Sequence, residues 1–279
     1  MSGAGVVTAV WTKLDAAVRK LDSAAADACL YRLATEEGDD VILEMAKAAV
    51  AAQKKGTAAP VAAPQLPPPS VIDISKFFAP VADSEAIILL TPQFGSEEAA
   101  RIVYQCRQLA MDEGYTGFIF WRAAAGFLWR THGPLFGTCR ENWKYLQTWR
   151  LKNDPTTTDS LAFFVPRLLT GSTGKAVTDQ RKLLVETRAK YTLPEPFLKD
   201  FGSAAYVAGL TLSHHRITSE RTPLDLLWAR CETFREDGGR LGFGFFLESS
   251  GLGCLNWDDG LPVDFIGIFP LGVVPILGH

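Results

Sequence analysis

Cysteine, histidine and methionine are scarce in this chain of 279 residues, at five, four and three. The cysteines (Cys29, Cys106, Cys139, Cys231, Cys254) are odd in number, lie far apart and never form a CxxC. Neither a disulfide framework nor a cysteine metal knuckle is indicated, and unpaired thiols suit a cytoplasmic or other reducing, non-secreted setting. The N-terminus lacks the basic start and long apolar run of a signal peptide. The longest uncharged apolar run, Phe265 to Leu277, has 13 residues and is broken by Pro270 and Pro275. It is too short to cross a bilayer and reads as core or as a docking tail. A large charge surplus is missing too. A net charge of −3 excludes a uniformly basic nucleic-acid coat, though an average can hide a local field.

What the chain has is apolar content, 47% of its residues, enough for a sizeable core. Residues 1–55 are alanine-rich and read as a helical arm, with Ser23 as an N-cap for the run Ala24 to Ala34. Residues 56–70, GTAAPVAAPQLPPPS, have no charge and five prolines, the composition of an extended spacer. Beyond it lies the main body, 71–279. There the patterns predict a short strand at Glu85 to Leu89 and a helix from Ser96 that Gly114 stops. Further helices are expected over Arg140 to Trp149, Ser160 to Leu169, Val177 to Tyr191, Ser203 to His214 and Pro223 to Phe234. The final runs RLGFGFFL, LGCLNW and PVDFIGIF, parted by ESSG and DDGL, predict a three-stranded antiparallel meander. The expected fold class is therefore α+β: a mainly helical body with an N-terminal helical arm and a small C-terminal antiparallel sheet.

Charge is distributed unevenly. Residues 117–190 hold twelve Lys and Arg against five Asp and Glu, while the flanks 70–116 and 191–279 are acidic. Within this block a basic residue follows tryptophan four times: Trp121-Arg122, Trp129-Arg130, Trp143-Lys144 and Trp149-Arg150. Bases stack on aromatic rings while cations track the phosphates, so the pattern suits single-stranded nucleic acid. The candidate binding residues are Arg122, Arg130, Arg140, Lys144, Arg150, Lys152, Arg181, Lys182, Arg188 and Lys190. A competing reading is structural. A tryptophan facing inward on a helix leaves its neighbour nearer to solvent without any ligand.

Catalytic patterns are incomplete. TGSTGKAVT, Thr170 to Thr178, imitates a phosphate loop, but Leu169 stands where the first glycine belongs and Ala176 where the hydroxyl after Lys175 belongs. His214 and His215 are adjacent and therefore diverge on a helix, without a metal-ligand partner at the usual spacing. Cys254 with Asp258 and a histidine has the residue types of a thiol enzyme, and Glu248 with Asp258 those of a carboxylate pair, but spacing supports neither. No motif calls for a cofactor or a metal. The sequence thus reads as a non-enzymatic assembly or structural subunit, coat- or nucleoprotein-like. It is expected to form a homo-oligomer and to contact single-stranded nucleic acid through the basic, Trp-rich block. The alternatives are an interaction module meeting an acidic protein or an anionic membrane surface, and an enzyme using His214, His215, Cys254 and Asp258.

Overall fold

The computed structural model describes residues 74–276 except 137, 138, 140–142, 147, 222 and 248–250, and only the backbone of 136, 144 and 145. The expected arm and spacer lie outside the described residues. A turn of 3-10 helix, Ile74–Lys76, leads into strand β1, Phe78–Val81. Two helices follow, α1 (Asp83–Phe94) and α2 (Ser96–Asp112), parted by Gly95. The expected strand at Glu85 to Leu89 falls inside α1. Asp83 and Glu85 place negative charge in its first turn, where the helix dipole favours it, and Ala86 and Leu90, one turn apart, are its buried residues.

Strand β2 is Phe120–Ala123, followed by the short helices α3 (Trp129–His132) and α4 (Trp143–Leu146). Of the helix expected over Arg140 to Trp149, only α4 is formed among the described residues. Strand β3, Ser160–Phe164, stands where a helix is expected. All five of its residues are buried, so the run is apolar without alternation, and periodicity cannot tell such a strand from a buried helix. Helices α5 (Val177–Lys190) and α6 (Ala204–Thr218) lie within a few residues of their expected positions. Where the last helix is expected, the chain instead forms strand β4, Trp228–Phe234. It continues with β5 (Arg240–Leu247), β6 (Gly251–Trp257), β7 (Ile266–Gly267) and β8 (Leu271–Pro275).

These strands build two four-stranded sheets, so the body is not mainly helical with one small terminal sheet. Sheet I has the order β1-β2-β3-β8 and is wholly antiparallel. Sheet II has the order β6-β5-β4-β7. Its meander is β4-β5-β6, whereas the last expected strand contributes only β7, which runs parallel to β4. The run from Phe265 is core: its β8 closes the edge of sheet I against β3. At the other edge, Pro80 in β1 lacks the N–H that a further strand needs, a common protection of sheet edges.

Both faces of sheet I are covered. Val81, Phe120, Leu161, Phe163 and Val274 meet apolar residues of α1, α2 and α5, such as Leu90, Ile102 and Leu184. Trp121, Ala162, Phe164 and Leu271 point the other way, into a core shared with α6 and with Ala229, Leu241, Phe243 and Cys254 of sheet II. Helix α6 is buried at every position from Ala204 to His214, as a helix enclosed on all sides must be. It packs on β1 of sheet I and on β4 and β5 of sheet II. Gly209 makes the approach possible, because a Cβ there would lie 2.2 Å from the Phe78 ring. Gly244 of β5 has the same role under Trp228: an added Cβ would meet the Leu227 carbonyl oxygen at 2.2 Å.

Candidate anion-binding surface

Three of the four tryptophans in the Trp-basic pairs are core anchors. Trp121, Trp129 and Trp143 are buried, and Trp129 meets Trp143 edge-on with ring centroids 5.4 Å apart, both against Phe243. Trp149 differs. It is half-buried, and the Arg235 guanidinium sits 4.8 Å from its ring centroid.

The candidate cations do not form one patch. Arg140 and the Lys144 side chain lie outside the described residues. Arg130 donates from Nε and Nη2 to Asp154 Oδ2 at 2.9 and 2.6 Å, and from Nη1 to the carbonyls of Leu146 and Trp149 at 3.0 and 2.9 Å. Trp129 Nε1 donates to the other oxygen of the same carboxylate at 2.6 Å, so this guanidinium ties α3 and α4 to the loop that follows. On α5 the cations hold separate carboxylates: Arg181 with Glu232 at 2.8 Å, Lys182 with Glu186 at 3.8 Å, and Lys190 with Asp112 at 3.2 Å. Arg188 lies within electrostatic reach of Glu195, whose main partner is Lys199.

Besides Arg122 on β2, which is exposed and outside any ion pair among the described residues, Arg150 and Lys152 remain, exposed and unpaired in the same sense. Their segment is extended. Leu151 bridges Arg235 antiparallel, Lys152 N donates to the Phe234 carbonyl at 3.0 Å, and Glu236 N donates to the Arg150 carbonyl at 2.9 Å. In extended chain, residues two apart share a side, so Arg150 and Lys152 stand together while Leu151 turns to the core. The stacked pair Trp149 and Arg235 lies on the Leu151 side of this segment, Trp149 packing with Leu151 against the core and Arg235 standing opposite Leu151, and Asp237 shares the Arg235 charge at 2.8 Å. The strand-like segment pinned to β4 thus presents two cations on one side and a cation-stacked indole on the other. Arg235 escapes the sequence reading because it lies outside the basic block, and only the pairing of distant segments brings it to Trp149.

The residues with catalytic chemistry are engaged elsewhere. His214, 3% exposed, shares a 3.0 Å hydrogen bond between its Nε2 and the Tyr115 hydroxyl. Burial pulls its pKa down to about 4, against the opposing pull of Glu220, whose carboxylate is 3.9 Å away. Arg167 closes the cluster, 5.3 Å from the Tyr115 ring centroid and 3.6 Å from Glu220. His215 turns instead to Phe246, with centroids 4.6 Å apart. Cys254 is fully buried, burial drives its thiol well above the ordinary range, and its titratable neighbours are Cys231, Cys139, Asp154 and Arg130. The triad types do not converge. Glu248 lies outside the described residues.

Asp258 and Asp259 serve two buried arginines. Asp259 takes both the Nε and Nη2 of Arg240 at 2.8 Å, while Arg240 Nη1 donates to Glu232 at 2.7 Å. Burial would depress the Arg240 guanidinium, but Asp259 and Glu232 outweigh it and hold its pKa above the ordinary value. Arg230 donates to the carbonyls of Asp258 and Leu261 at 3.1 and 3.0 Å. In the loop that resembles a phosphate site, Gly174 N and Val177 N donate to the carbonyls of Val263 and Asp259. Thr170 N is likewise held by Glu113 and Ser172 N by the Leu169 carbonyl, so four amides of this loop are bound to protein. Among the described residues no group of three His, Cys, Asp or Glu is placed to hold a metal ion, and no helix is long and apolar enough to cross a membrane. Comparison with known proteins finds no family model, curated relative or solved structure that matches the chain.

Proposed function

We propose that the protein is a non-enzymatic structural or assembly subunit that binds single-stranded nucleic acid through the surface of Trp149, Arg150, Lys152 and Arg235. The observation that carries this reading is the exposure of Arg150 and Lys152 on one side of an extended segment, without carboxylate partners among the described residues, with a half-buried indole next to them in the chain. Cations that track phosphates next to a ring that accepts a base make up the contact of a sequence-tolerant single-strand binder. The commitment of His214, Asp259 and Cys254 to internal partners favours a binding role over a catalytic one. A surface of three cations is small, so useful affinity requires several copies of the chain along one strand, and self-association belongs to the proposal.

The test is the anisotropy of a labelled twenty-nucleotide oligo(dT) titrated with the full chain at several salt concentrations. About three phosphate contacts on a single strand give a slope of roughly −2 in log affinity against log salt. Arg150→Glu with Lys152→Glu removes binding, while Lys182→Glu, on the far pair of α5, leaves it in place. Binding that is absent, independent of salt, or indifferent to the double substitution overturns the reading.

A further inference from the structure

A second cationic site lies at the rim of sheet I, in a cavity of about 380 Å³ lined by Lys76, Ala79, Arg122, Ala124, Asp159 and Ile276 among others. Six arginines of the body, Arg101, Arg107, Arg130, Arg181, Arg235 and Arg240, each hold a carboxylate within 2.8 Å. Arg122 and Lys76 do not, and neither makes an ion pair or side-chain hydrogen bond among the described residues. Both are exposed to the same cavity.

Their supports are rigid. The Arg122 backbone is held from both sides, opposite Ala79 of β1 and Leu161 of β3. It lies two residues beyond Phe120 on the same face, where that face leaves the core and small side chains follow. Lys76 ends the 3-10 turn that Phe77 N closes by donating to the Ile74 carbonyl at 2.9 Å. Across the cavity, Asp159 Oδ1 accepts the Ala125 N–H at 3.1 Å, and its backbone carbonyl accepts the Ile276 N–H at 3.0 Å. Ala79 and Ala124 leave the space between these groups open. The lining therefore carries two cations against one carboxylate, and one oxygen of that carboxylate is already taken.

We propose that this cavity is a binding site for a small phosphate-bearing ligand. An arginine fork and a lysine point charge, presented from two neighbouring elements, match the several oxygens of a phosphate. The carboxylate of Asp159 selects among anions. It lowers the net charge of the lining, so that a phosphate monoester, charged about −1.5 to −2 near neutral pH, is attracted more strongly than a singly charged carboxylate. The volume accommodates a phosphate with a compact organic group and excludes a long chain. This site is separate from the Trp149 surface, and neither reading depends on the other.

Isothermal titration of the full chain with inorganic phosphate, at ionic strength held constant with chloride, tests it. Saturable binding at one site per chain is expected. Arg122→Gln weakens it at least tenfold and Lys76→Gln severalfold. Ala79→Met, which fills the cavity without changing a charge, abolishes it, and far-ultraviolet circular dichroism of each variant reports that the sheets remain. Arg150→Gln with Lys152→Gln leaves phosphate affinity unchanged, which keeps this result distinct from any loss of nucleic-acid binding. Absence of saturable binding, or binding indifferent to both Arg122→Gln and Ala79→Met, overturns the proposal.

Discussion

The Tyr115 hydroxyl and the Nε2 of His214 lie 3.0 Å apart where α6 leaves the core near its C-terminal end, with Glu220 and Arg167 just outside. The pair fixes the end of a helix that both sheets enclose, and it makes stability depend on the imidazole being neutral.

That dependence has a sign. His214 has its pKa lowered from 6.5 in the unfolded chain to about 4 in the fold, so between those values the unfolded state binds more protons. Its contribution is fully present above pH 6.5 and is lost as the pH falls towards 4. The full loss amounts to about 3 kcal/mol. Urea unfolding at a series of pH values checks this. His214→Gln flattens the slope across this window, and a variant as steep as the parent there shows that the proton is taken up elsewhere.

Arg240, 2% exposed, joins Asp259 and Glu232 across the outer face of sheet II. Arg240→Gln deprives two partly buried carboxylates of their common partner and costs about 3 kcal/mol. The exposed pair of Lys182 and Glu186 contributes too little for Lys182→Gln to move the unfolding midpoint. Equal midpoints for the two variants contradict this ordering.

Gly209→Ala places a methyl group 2.2 Å from a ring carbon of Phe78, in a core where that ring also packs edge-on against Phe127 at 5.2 Å. Either α6 or β1 must move, at a cost of about 2 kcal/mol or more. A melting temperature within a degree of the parent shows that the helix and sheet have more room than their contact implies.

Helices α2, α5 and α6 were legible in the sequence, whereas α1 was not. On α2, buried Ile102, Val103, Cys106, Leu109 and Ala110 recur at helical spacing, and α6 begins after Ser203. Strands β5 and β6 were legible as apolar, aromatic-rich runs between turn signals. Sheet I was not, because its two buried faces erase the alternation that marks a strand, as Leu161 to Phe164 show. One signal was available: Pro166 falls inside the helix expected over Ser160 to Leu169, where a proline removes a hydrogen bond and clashes with the preceding turn. The fate of the basic block was beyond reach. Asp154, Glu232 and Asp112 neutralise Arg130, Arg181 and Lys190 across folds of chain that no local pattern specifies.

Strand β3 is completed by β8, which is formed only after α5, α6 and the whole of sheet II have been made. A growing polypeptide on the ribosome therefore carries the aromatic flank of β3 uncovered while the residues from Val165 to Pro270 are added. Assembly of the body waits on its final stretch, and a chaperone that shields apolar segments has its longest interval of action there.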